Sequence, residues 1–552
     1  MADLKKQGVY FVPIGGADDI GMNMFAYCSN GKWIVVDAGY GFLNDEYPGM
    51  DMCYASPKFL ADFQEDIEGL FITHAHEDHM GAIAHIWPQL KCPVYGTDFA
   101  LALVKERLKE YDMENDVLLN CVNDTMKVKL KEFEVEFISM VHSVPQTCGL
   151  FIKTKYQNIF HATDWRFDDA KTEMLKNPIE KLKQIGADGV DLFVCDSTNV
   201  LIDEHQCSEY DVRQSLCKII PEIKGGLIVT CFASNLMRLE SLLIAADMAQ
   251  RTPVLMGKTL LTNMKIAKEC GYFQNAPVAY SAEQAKDITS DKAMYICTGS
   301  QANYRSALSQ IAKGESKYVT LSQNDTIIFS SKIIPGNEDK IEKMQEQMAL
   351  KGVKIITEET DLVHTSGHAS KEELKMMYQI LKPKIVFPVH GDKRFIREHK
   401  RFALSCGVED VCSGKNGDIF LLFDGKINKT EETVSDVMGV DRTRSVSLNS
   451  ELVQNRRRIA YNCSLFISAV VSKDLELKDL QISSLDILEE TKWKELSEEI
   501  QQKVLPLINA KLKECKCINS QVTDFIKGHI RKRILKATDI KPVTILHIYQ
   551  EQ

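Results

Sequence analysis

The chain has 552 residues, a formal net charge of −10 and a hydrophobic fraction of 44%. This length predicts more than one domain. The sequence has no apolar run long enough to span a membrane and no signal-peptide core, and its 16 cysteines show no paired spacing. These features predict a soluble cytoplasmic protein with reduced thiols. The acidic balance argues against a generally basic nucleic-acid binder, so any polyanion site must be a local patch or must use metal ions.

An early candidate site residue is Asp37, which follows the apolar run Trp33–Val36. The run predicts a buried strand, and a carboxylate at its end can orient a histidine that binds a metal. The alternative is an ordinary turn or helix-capping aspartate. The residue alone does not decide between them.

The strongest local signal is the stretch from Thr73 to Gly81, in which His74, His76, Asp78 and His79 lie within six residues. In an extended loop, residues two apart project to the same side, so His74 and His76 can converge on one ion. Asp78 and His79 can then face a neighbouring ion. Imidazole and carboxylate without thiolate indicate a catalytic zinc-type site. The alternative is a histidine-rich surface loop, but such tracts are usually of low complexity, which this stretch is not.

Further along, strand-like runs repeatedly end in a histidine or an aspartate. His142 follows the run 134–141, Asp164 follows 159–163 and Asp196 follows 190–195. A single aspartate at the end of a strand is usually a turn former. The recurrence predicts that these residues belong to one site.

From about residue 206 to 360 the pattern becomes alternating strand and helix, which predicts an α/β unit. The loops 298–301 and 330–337 each follow a strand. Their hydroxyl and backbone N–H groups can bind phosphate near a helix start. Helix caps and turns explain each loop equally well when it is taken alone.

A second histidine cluster, at His364 and His368, brackets Ser366 and Gly367 and indicates a cup for a phosphate with a proton donor. The strand-like run 384–389 then ends in His390. The basic run 393–401 after it is either a solvated helix face or a contact for a nucleic-acid backbone.

The last part of the chain predicts a small α+β module. A polar stretch at 446–460 has the character of a linker. It is followed by a predicted strand at 463–471, helices at 493–515 and 525–533, and a closing strand at 543–548.

Taken together, these residues resemble a known family. Asp37, the motif at 74–79, His142, Asp164 and His390, in this order, resemble the metallo-β-lactamase fold. The block between Asp196 and His364 resembles the beta-CASP insertion of nucleic-acid-processing enzymes, in which a histidine at the position of His390 accompanies RNA cleavage. With the motifs 232–235, 298–301, 334–337 and 388–391, the chain is similar to the ribonuclease J family over nearly its whole length. It departs from the family pattern at 18–19, 302–304 and 392, which affects substrate preference and subunit contacts but no metal ligand.

The resemblance implies an α/β fold, namely a metallo-β-lactamase αββα sandwich with an inserted α/β beta-CASP domain and a small α+β C-terminal domain. The implied division is 1–205 and 361–445 for the two parts of the sandwich, 206–360 for the insertion, 446–460 for a linker and 461–552 for the C-terminal domain.

The resemblance also implies a site with two Zn²⁺ ions, for which Mn²⁺ is also suited. One ion is expected at His74, His76 and His142, the other at Asp78, His79 and His390, with Asp164 bridging and Asp37 orienting a ligand. His368, oriented by Asp196, is the expected proton donor, and Asp78 is expected to assist proton movement. An additional structural divalent ion is expected near Asp51 and Asp441. The residues expected to bind substrate are Phe232, Ala233, Ser234, His364, Thr365, Ser366, Gly367 and His368.

The implied activity is hydrolysis of RNA by 5′-to-3′ exonuclease and endonuclease action, in rRNA processing and mRNA decay in the cytoplasm. The products are 5′-phosphate and 3′-hydroxyl ends, the preferred substrate is 5′-monophosphorylated RNA, and a homodimer or homotetramer is expected. The alternatives are a purely endonucleolytic beta-CASP enzyme, a small-molecule metallohydrolase and a non-catalytic RNA-binding subunit. The insertion argues against the second, and the complete set of seven ligands argues against the third.

Overall fold

The structure is a computed structural model that describes residues 7–168, 178–204, 206–334 and 336–551. The first residues of the chain and Pro335, both used in the sequence predictions, lie outside these ranges. The chain divides into two compact units, one formed by 1–42 and 53–437 and the other by 43–52 and 438–552. Among the described residues, each helix is too short or too polar to cross a membrane.

The first part of the larger unit extends to Asp196. Its helices are α1 (Lys58–Ala61), α2 (Glu77–Met80), α3 (Ile83–Leu90), α4 (Asp98–Lys109) and α5 (Ile179–Asp188). Its strands are β1 (Val9–Gly15), β2 (Met24–Ser29), β3 (Lys32–Val36), β4 (Gly41–Phe42), β5 (Met52–Ala55), β6 (Ile67–Phe71), β7 (Val94–Gly96), β8 (Leu119–Cys121), β9 (Lys127–Lys129), β10 (Glu134–Ser139), β11 (Cys148–Lys153), β12 (Asn158–His161) and β13 (Leu192–Asp196).

An insertion follows β13. Its strands are β14 (Leu227–Thr230), β15 (Thr252–Met256), β16 (Tyr280–Ser281), β17 (Ala293–Cys297), β18 (Thr326–Phe329) and β19 (Lys354–Ile356). Its helices are α6 (Glu209–Ile219), α7 (Leu236–Met248), α8 (Lys258–Glu269), α9 (Ala307–Lys313) and α10 (Glu338–Ala349). The strands form a parallel sheet in the order β16-β15-β17-β14-β18-β19. The central strands β14 and β17 are buried along their whole length, as expected for parallel strands covered on both faces.

After the insertion, the chain returns to the first part. The elements here are α11 (Lys371–Leu381), β20 (Ile385–Val389), α12 (Lys393–Ser405), β21 (Asp410–Val411), β22 (Asp418–Phe423) and β23 (Lys426–Glu432). One sheet has the order β23-β22-β1-β2-β3-β6-β7-β8 and the other β21-β20-β13-β12-β11-β10-β9, so each contains strands from before and after the insertion.

The two sheets pack face to face. Phe11 and Phe71 of the first sheet share one apolar core with Phe137 and Phe387 of the second. On the outer face of the second sheet, α5, α11 and α12 cover another core, which Leu182, Leu374, Met377 and Ala403 help to form. The arrangement is the predicted αββα sandwich with an α/β insertion.

The smaller unit contains β24 (Val437–Asp441), β25 (Arg444–Ser447), α13 (Glu451–Asn462), β26 (Ser464–Val471), β27 (Leu477–Leu485), α14 (Glu490–Cys515), α15 (Ser520–Thr538) and β28 (Val543–Gln550). β26 is the central strand, antiparallel to β27 and parallel to β28. Its alternate residues, such as Leu465 and Ile467, share a core with residues of α14 and α15 at four-residue spacing, such as Val504 and Ile508. The strands and helices predicted for this module are confirmed.

The segment 446–460, for which the sequence predicted a linker, is largely helical because α13 covers Glu451–Asn462. Ser450 accepts a hydrogen bond from the Val453 amide at 3.4 Å and caps the helix. The domain boundaries given above remain a prediction.

Candidate metal centre

The candidate ligands meet because they follow neighbouring strands of the two sheets. β12, β13 and β20 are parallel neighbours, so Asp164, Asp196 and His390 leave the same edge of the second sheet. In the first sheet β3 and β6 are also parallel, with Val36 opposite Phe71, and this pairing brings Asp37 beside the start of the histidine motif.

A first group of donor atoms is formed by His74, His76, His142 and Asp164. His76 Nδ1 lies 3.1 Å from His74 Nε2 and 3.1 Å from His142 Nε2. Asp164 Oδ2 is 3.8 Å from His74 Nε2 and 3.7 Å from His142 Nε2. The Gly367 carbonyl accepts a hydrogen bond from His142 Nδ1 at 2.7 Å, which leaves the lone pair of His142 Nε2 directed at the group.

A second group is formed by Asp78, His79, Asp164 and His390. His79 Nε2 lies 3.3 Å from Asp164 Oδ2 and 3.7 Å from Asp78 Oδ2. His390 Nε2 lies 3.0 Å from Asp78 Oδ2. Asp164 therefore belongs to both groups, and the seven side chains that the sequence predicted as ligands lie together.

Asp37 lies behind His79 and is fully buried. Its carboxylate accepts hydrogen bonds from His79 Nδ1 at 2.8 Å, from the Thr73 amide at 2.8 Å and from the Thr73 hydroxyl at 2.9 Å. This arrangement directs His79 Nε2 at the second group. Asp37 has a φ of 63° and His390 a φ of 55°, so both adopt the left-handed conformation where their strands end.

Asp196 positions two histidines, His368 directly and His390 through the Thr198 hydroxyl. Its Oδ2 lies 2.7 Å from His368 Nδ1, and its Oδ1 accepts a hydrogen bond from the Thr198 hydroxyl at 2.7 Å. The same hydroxyl accepts from His390 Nδ1 at 2.8 Å, which leaves His390 Nε2 for the second group. The His368 ring lies 5.2 Å from that of His142 and 5.8 Å from that of His390.

The charge state of the site follows from burial and from the carboxylates. Burial lowers the pKa of His76 to about 4 and that of His142 to about 3, so these imidazoles are neutral at pH 7. Burial acts in the same direction on His79, but Asp164, Asp78 and Asp37 outweigh it and raise the His79 pKa to about 10. Burial alone would raise the pKa of Asp164, yet His390 and His79 hold it well below the usual value.

These donors fit a pair of divalent cations. The first group supplies neutral imidazole nitrogens, both groups supply carboxylates, and the donor atoms of each group lie within 4.8 Å of one another; imidazole and carboxylate are the ligands that zinc takes in catalytic sites. The excess of carboxylates around the second group attracts positive charge, which a metal ion supplies in place of protons.

The segment His364–His368 lies beside this centre. The Ser366 hydroxyl accepts a hydrogen bond from Asn199 Nδ2 at 2.8 Å, and the His368 carbonyl accepts from the same amide at 2.9 Å. Arg166 Nη1 donates to the Thr365 hydroxyl at 2.8 Å and to the Ser366 carbonyl at 2.7 Å. The predicted phosphate cup is therefore held by residues that flank Asp164 and Asp196.

Phe232, Ala233 and Ser234 are half-buried in the loop between β14 and α7. Asn263 Nδ2 donates to the Ala233 carbonyl at 2.9 Å. The helix that follows reaches the cup, since Arg238 Nη1 lies 3.3 Å from His364 Nδ1.

Asp51 and Asp441 are not in any of the metal-type clusters among the described residues. The Asp441 carboxylate instead accepts hydrogen bonds from Arg456 at 2.7 Å and from Arg444 at 3.1 Å. Two guanidinium groups thus already neutralise the carboxylate that the sequence analysis assigned to an additional ion.

The sequence analysis did not assign roles to Thr198, Asn199, Arg166 and Arg238. Thr198 and Asn199 come two and three residues after Asp196, and Arg166 is two residues after Asp164, so proximity to a predicted site residue was an available signal. Arg238 has no such signal, because it lies within a helix and the other residues of that helix already account for the helical sequence pattern.

Three family models match the chain. The model described as "Beta-lactamase superfamily domain" matches residues 32–194, "Ribonuclease J, beta-CASP domain" matches 224–348 and "Zn-dependent metallo-hydrolase RNA specificity domain" matches 352–404. Together they confirm the predicted sandwich and its insertion. A crystal structure of a protein of unknown function from Enterococcus faecalis has a TM-score of 0.54, 15% identity, and covers 75% of this chain and 100% of its own, which supports the fold alone.

Curated relatives match most of the chain. Ribonuclease J of Sinorhizobium meliloti is 33% identical over 84% of this chain and 82% of its own length. Ribonuclease J of Helicobacter pylori is 30% identical over 99% of this chain and 80% of its own, and that of Mycobacterium tuberculosis is 33% identical over 77% and 76%. With this identity and coverage, and with donor groups of the type the fold uses, the chain belongs to the ribonuclease J family of metallo-β-lactamase proteins.

Proposed function

We propose that this protein is a metal-dependent ribonuclease that hydrolyses RNA phosphodiesters by both 5′-to-3′ exonuclease and endonuclease action. The observation that carries the proposal is the position of His76 Nδ1, 3.1 Å from both His74 Nε2 and His142 Nε2, with Asp164 shared by the two donor groups. Such convergence of residues far apart in the chain is expected of a two-metal hydrolase.

The first group would hold one Zn²⁺ and the second group another, with Asp164 between them and Mn²⁺ as the alternative ion. Two such ions supply an activated water and neutralise charge on the phosphate. Asp78 has a side chain 23% exposed, compared with 3% for Asp164, so it is the ligand placed to exchange protons with solvent.

His368 would donate a proton to the departing 3′-oxygen. Asp196 accepts from His368 Nδ1, so Nε2 remains to carry the transferred proton. This transfer leaves a 3′-hydroxyl on one product and a 5′-phosphate on the other.

The residues at 364–368, together with Phe232, Ala233 and Ser234, would bind the RNA chain next to the cleaved bond. The positive charges of Arg166 and Arg238 beside this segment favour a phosphate at this position. We further propose that a 5′-monophosphate is preferred, that the protein is a homodimer or homotetramer, and that it acts in RNA processing and decay in the cytoplasm.

The test compares wild type with His76→Ala, and with His529→Ala as a matched histidine change in α15. Each protein is analysed for bound metal and is incubated with 5′-monophosphorylated and 5′-triphosphorylated RNA, and the products are sized. Wild type should hold two divalent ions and release mononucleotides faster from the monophosphorylated RNA. His76→Ala should lose cleavage while its circular dichroism spectrum is unchanged, and His529→Ala should match wild type.

Two results would contradict the proposal. Full RNA cleavage by His76→Ala would show that the metal site is wrongly assigned. Internal cleavage products without mononucleotides would replace the dual activity with a purely endonucleolytic one.

A further inference from the structure

Two buried arginines, Arg166 and Arg238, lie against the segment 363–366 and are not used by the chemistry described above. Their exposed fractions are 1% and 0%. A guanidinium group is costly to bury unless each of its donors finds an acceptor. The acceptors therefore indicate what these side chains hold in place.

Arg238 links the insertion to the residue before His364. Its Nε and Nη2 donate to the two carboxylate oxygens of Glu209, at 3.2 and 2.9 Å. Its Nη1 lies 2.8 Å from the Ser330 hydroxyl and 2.9 Å from the Val363 carbonyl. Arg238 belongs to α7 and Glu209 to α6, so two helices of the insertion and the loop after β18 meet at one guanidinium.

Arg166 holds Thr365 and Ser366. Besides Thr365 and Ser366, it reaches the Cys207 carbonyl at 2.8 Å and lies 3.5 Å from Asp168. Asp168 in turn accepts a hydrogen bond from the Glu209 amide at 3.0 Å. The two arginines therefore form one connected network in which the insertion and the sandwich share the segment 363–366.

The network also contacts the ring of His364. Arg238 Nη1 lies 3.3 Å from His364 Nδ1, and the Ser330 backbone also forms a hydrogen bond with the ring. Burial, and then the charges of Arg238, Lys332 and Arg166, hold the pKa of His364 well below its ordinary value. His364 is thus a neutral imidazole at neutral pH.

We propose that Arg166 and Arg238 are positioning residues, which fix the backbone at 363–366 so that this segment receives an RNA phosphate adjacent to the cleaved one. The inference rests on the proposed RNA hydrolysis and extends it, because it makes the insertion a determinant of where the RNA chain lies. Binding of the RNA should depend on these residues more than the chemical step does.

The test compares Arg238→Lys with Arg213→Lys. Arg213 bridges the same two helices, α6 and α7, through Glu240 and through the Ser241 hydroxyl at 3.0 Å. KM and kcat are measured with zinc-loaded protein on a 5′-monophosphorylated RNA, together with hydrolysis of bis(p-nitrophenyl) phosphate, which has no adjacent phosphate. Arg238→Lys should raise KM for RNA about 10- to 100-fold, the effect of losing one charged hydrogen bond, with kcat and the small substrate little changed. Arg213→Lys should leave all three as in wild type.

Ser330→Ala provides a second arm if Arg238→Lys does not fold. The Ser330 hydroxyl donates to the Val363 carbonyl at 2.7 Å and accepts from Arg238, and its loss changes no charge. This variant should raise KM for RNA severalfold without changing the melting temperature by more than Arg213→Lys does.

The outcomes separate the two proposals. If wild type leaves RNA uncut, the proposed function and this inference both fail. If wild type cuts RNA and the Arg238→Lys or Ser330→Ala protein has the KM of Arg213→Lys, only the inference fails. Equal losses of kcat on both substrates would mean that the arginine only stabilises the fold, which also overturns the inference.

Discussion

The carboxylate of Asp37 lies 2.8 Å from His79 Nδ1, although 42 residues separate the two in sequence. The contact exists because β3 and β6 are parallel neighbours and end side by side. The other ring nitrogen of His79, Nε2, faces Asp164 and Asp78 and also lies 3.1 Å from Asn23 Nδ2. The orientation of one ligand is therefore set by a residue that does not itself reach the candidate metal.

We expect Asp37→Asn to weaken the binding of one of two divalent ions by about 10- to 100-fold, because an amide oxygen holds the His79 N–H less strongly than a carboxylate does. Asparagine tolerates the positive φ at this position, so the backbone should be preserved. Competition with a chelating dye measures the two affinities. Asp66→Asn, at a half-exposed ion pair with Lys32, is the control. Unchanged affinities in the Asp37 variant would contradict the assigned role.

Thr198→Val should weaken the binding of the same ion by about tenfold, because His390 Nδ1 loses the Thr198 hydroxyl, its nearer acceptor, while the side-chain volume is kept. The Thr198 amide still donates to Asp196 at 2.8 Å, so the loop should stay in place. Calorimetric titration of the metal-free protein with Zn²⁺ would show one weakened site and one unchanged site. Equal weakening of both sites would instead indicate a general disturbance of the centre.

Gly367→Ala should affect the other ion. An added Cβ would lie 2.6 Å from His142 Nδ1 and 2.7 Å from His142 Cε1, so the imidazole ring has to move. The expected result is a loss of about tenfold or more in affinity at the first group and a changed Co²⁺ absorption spectrum. Gly528→Ala in α15 is the matched control, since nothing lies within 4 Å of its added Cβ. An unchanged spectrum in Gly367→Ala would show that His142 is not a ligand.

His399 should make stability depend on pH. It is buried between the Ser197 hydroxyl and Tyr378, and burial lowers its pKa from 6.5 to about 4. Between pH 6.5 and pH 4 the unfolded chain binds the proton and the folded chain does not, so the stabilisation present above pH 6.5 is lost as the pH falls. From pH 7 to pH 5 this residue should remove about 2 kcal/mol of unfolding free energy.

Urea denaturation of wild type and His399→Gln at pH 7 and pH 5 measures this contribution. The variant keeps groups that can hydrogen-bond to Ser197 and Tyr378 but does not titrate, so its loss between the two pH values should be about 2 kcal/mol smaller. His529→Gln should behave as wild type. The same pH dependence in His399→Gln and wild type would contradict the assignment.

The ligand set could be predicted from sequence because its members follow buried strands, and the ends of parallel strands meet at one edge. The same logic does not reach Arg238. Its partner Glu209 is 29 residues upstream and His364 is 126 residues downstream, on elements whose packing is set by tertiary structure. The left-handed backbone of Thr163 was also not predictable, since a β-branched residue rarely adopts it.

The segment 446–460 shows a different limit. Of the residues of α13, only Val453 is buried, so the sequence of this helix is as polar as that of a linker. Polarity alone does not distinguish a helix with a narrow contact face from an extended connection. The cap at Ser450 was a local signal, but capping residues are also common in turns.

β13 pairs with β20, with Leu192 opposite Ile385, so the residues between them are inserted between two neighbouring strands of one sheet. During translation, six of the seven candidate ligands have been synthesised by residue 164. The seventh, together with His368, is added only after the insertion has been translated. An unfinished chain on the ribosome would therefore have an incomplete metal centre, and RNA hydrolysis would begin only once synthesis had passed residue 390.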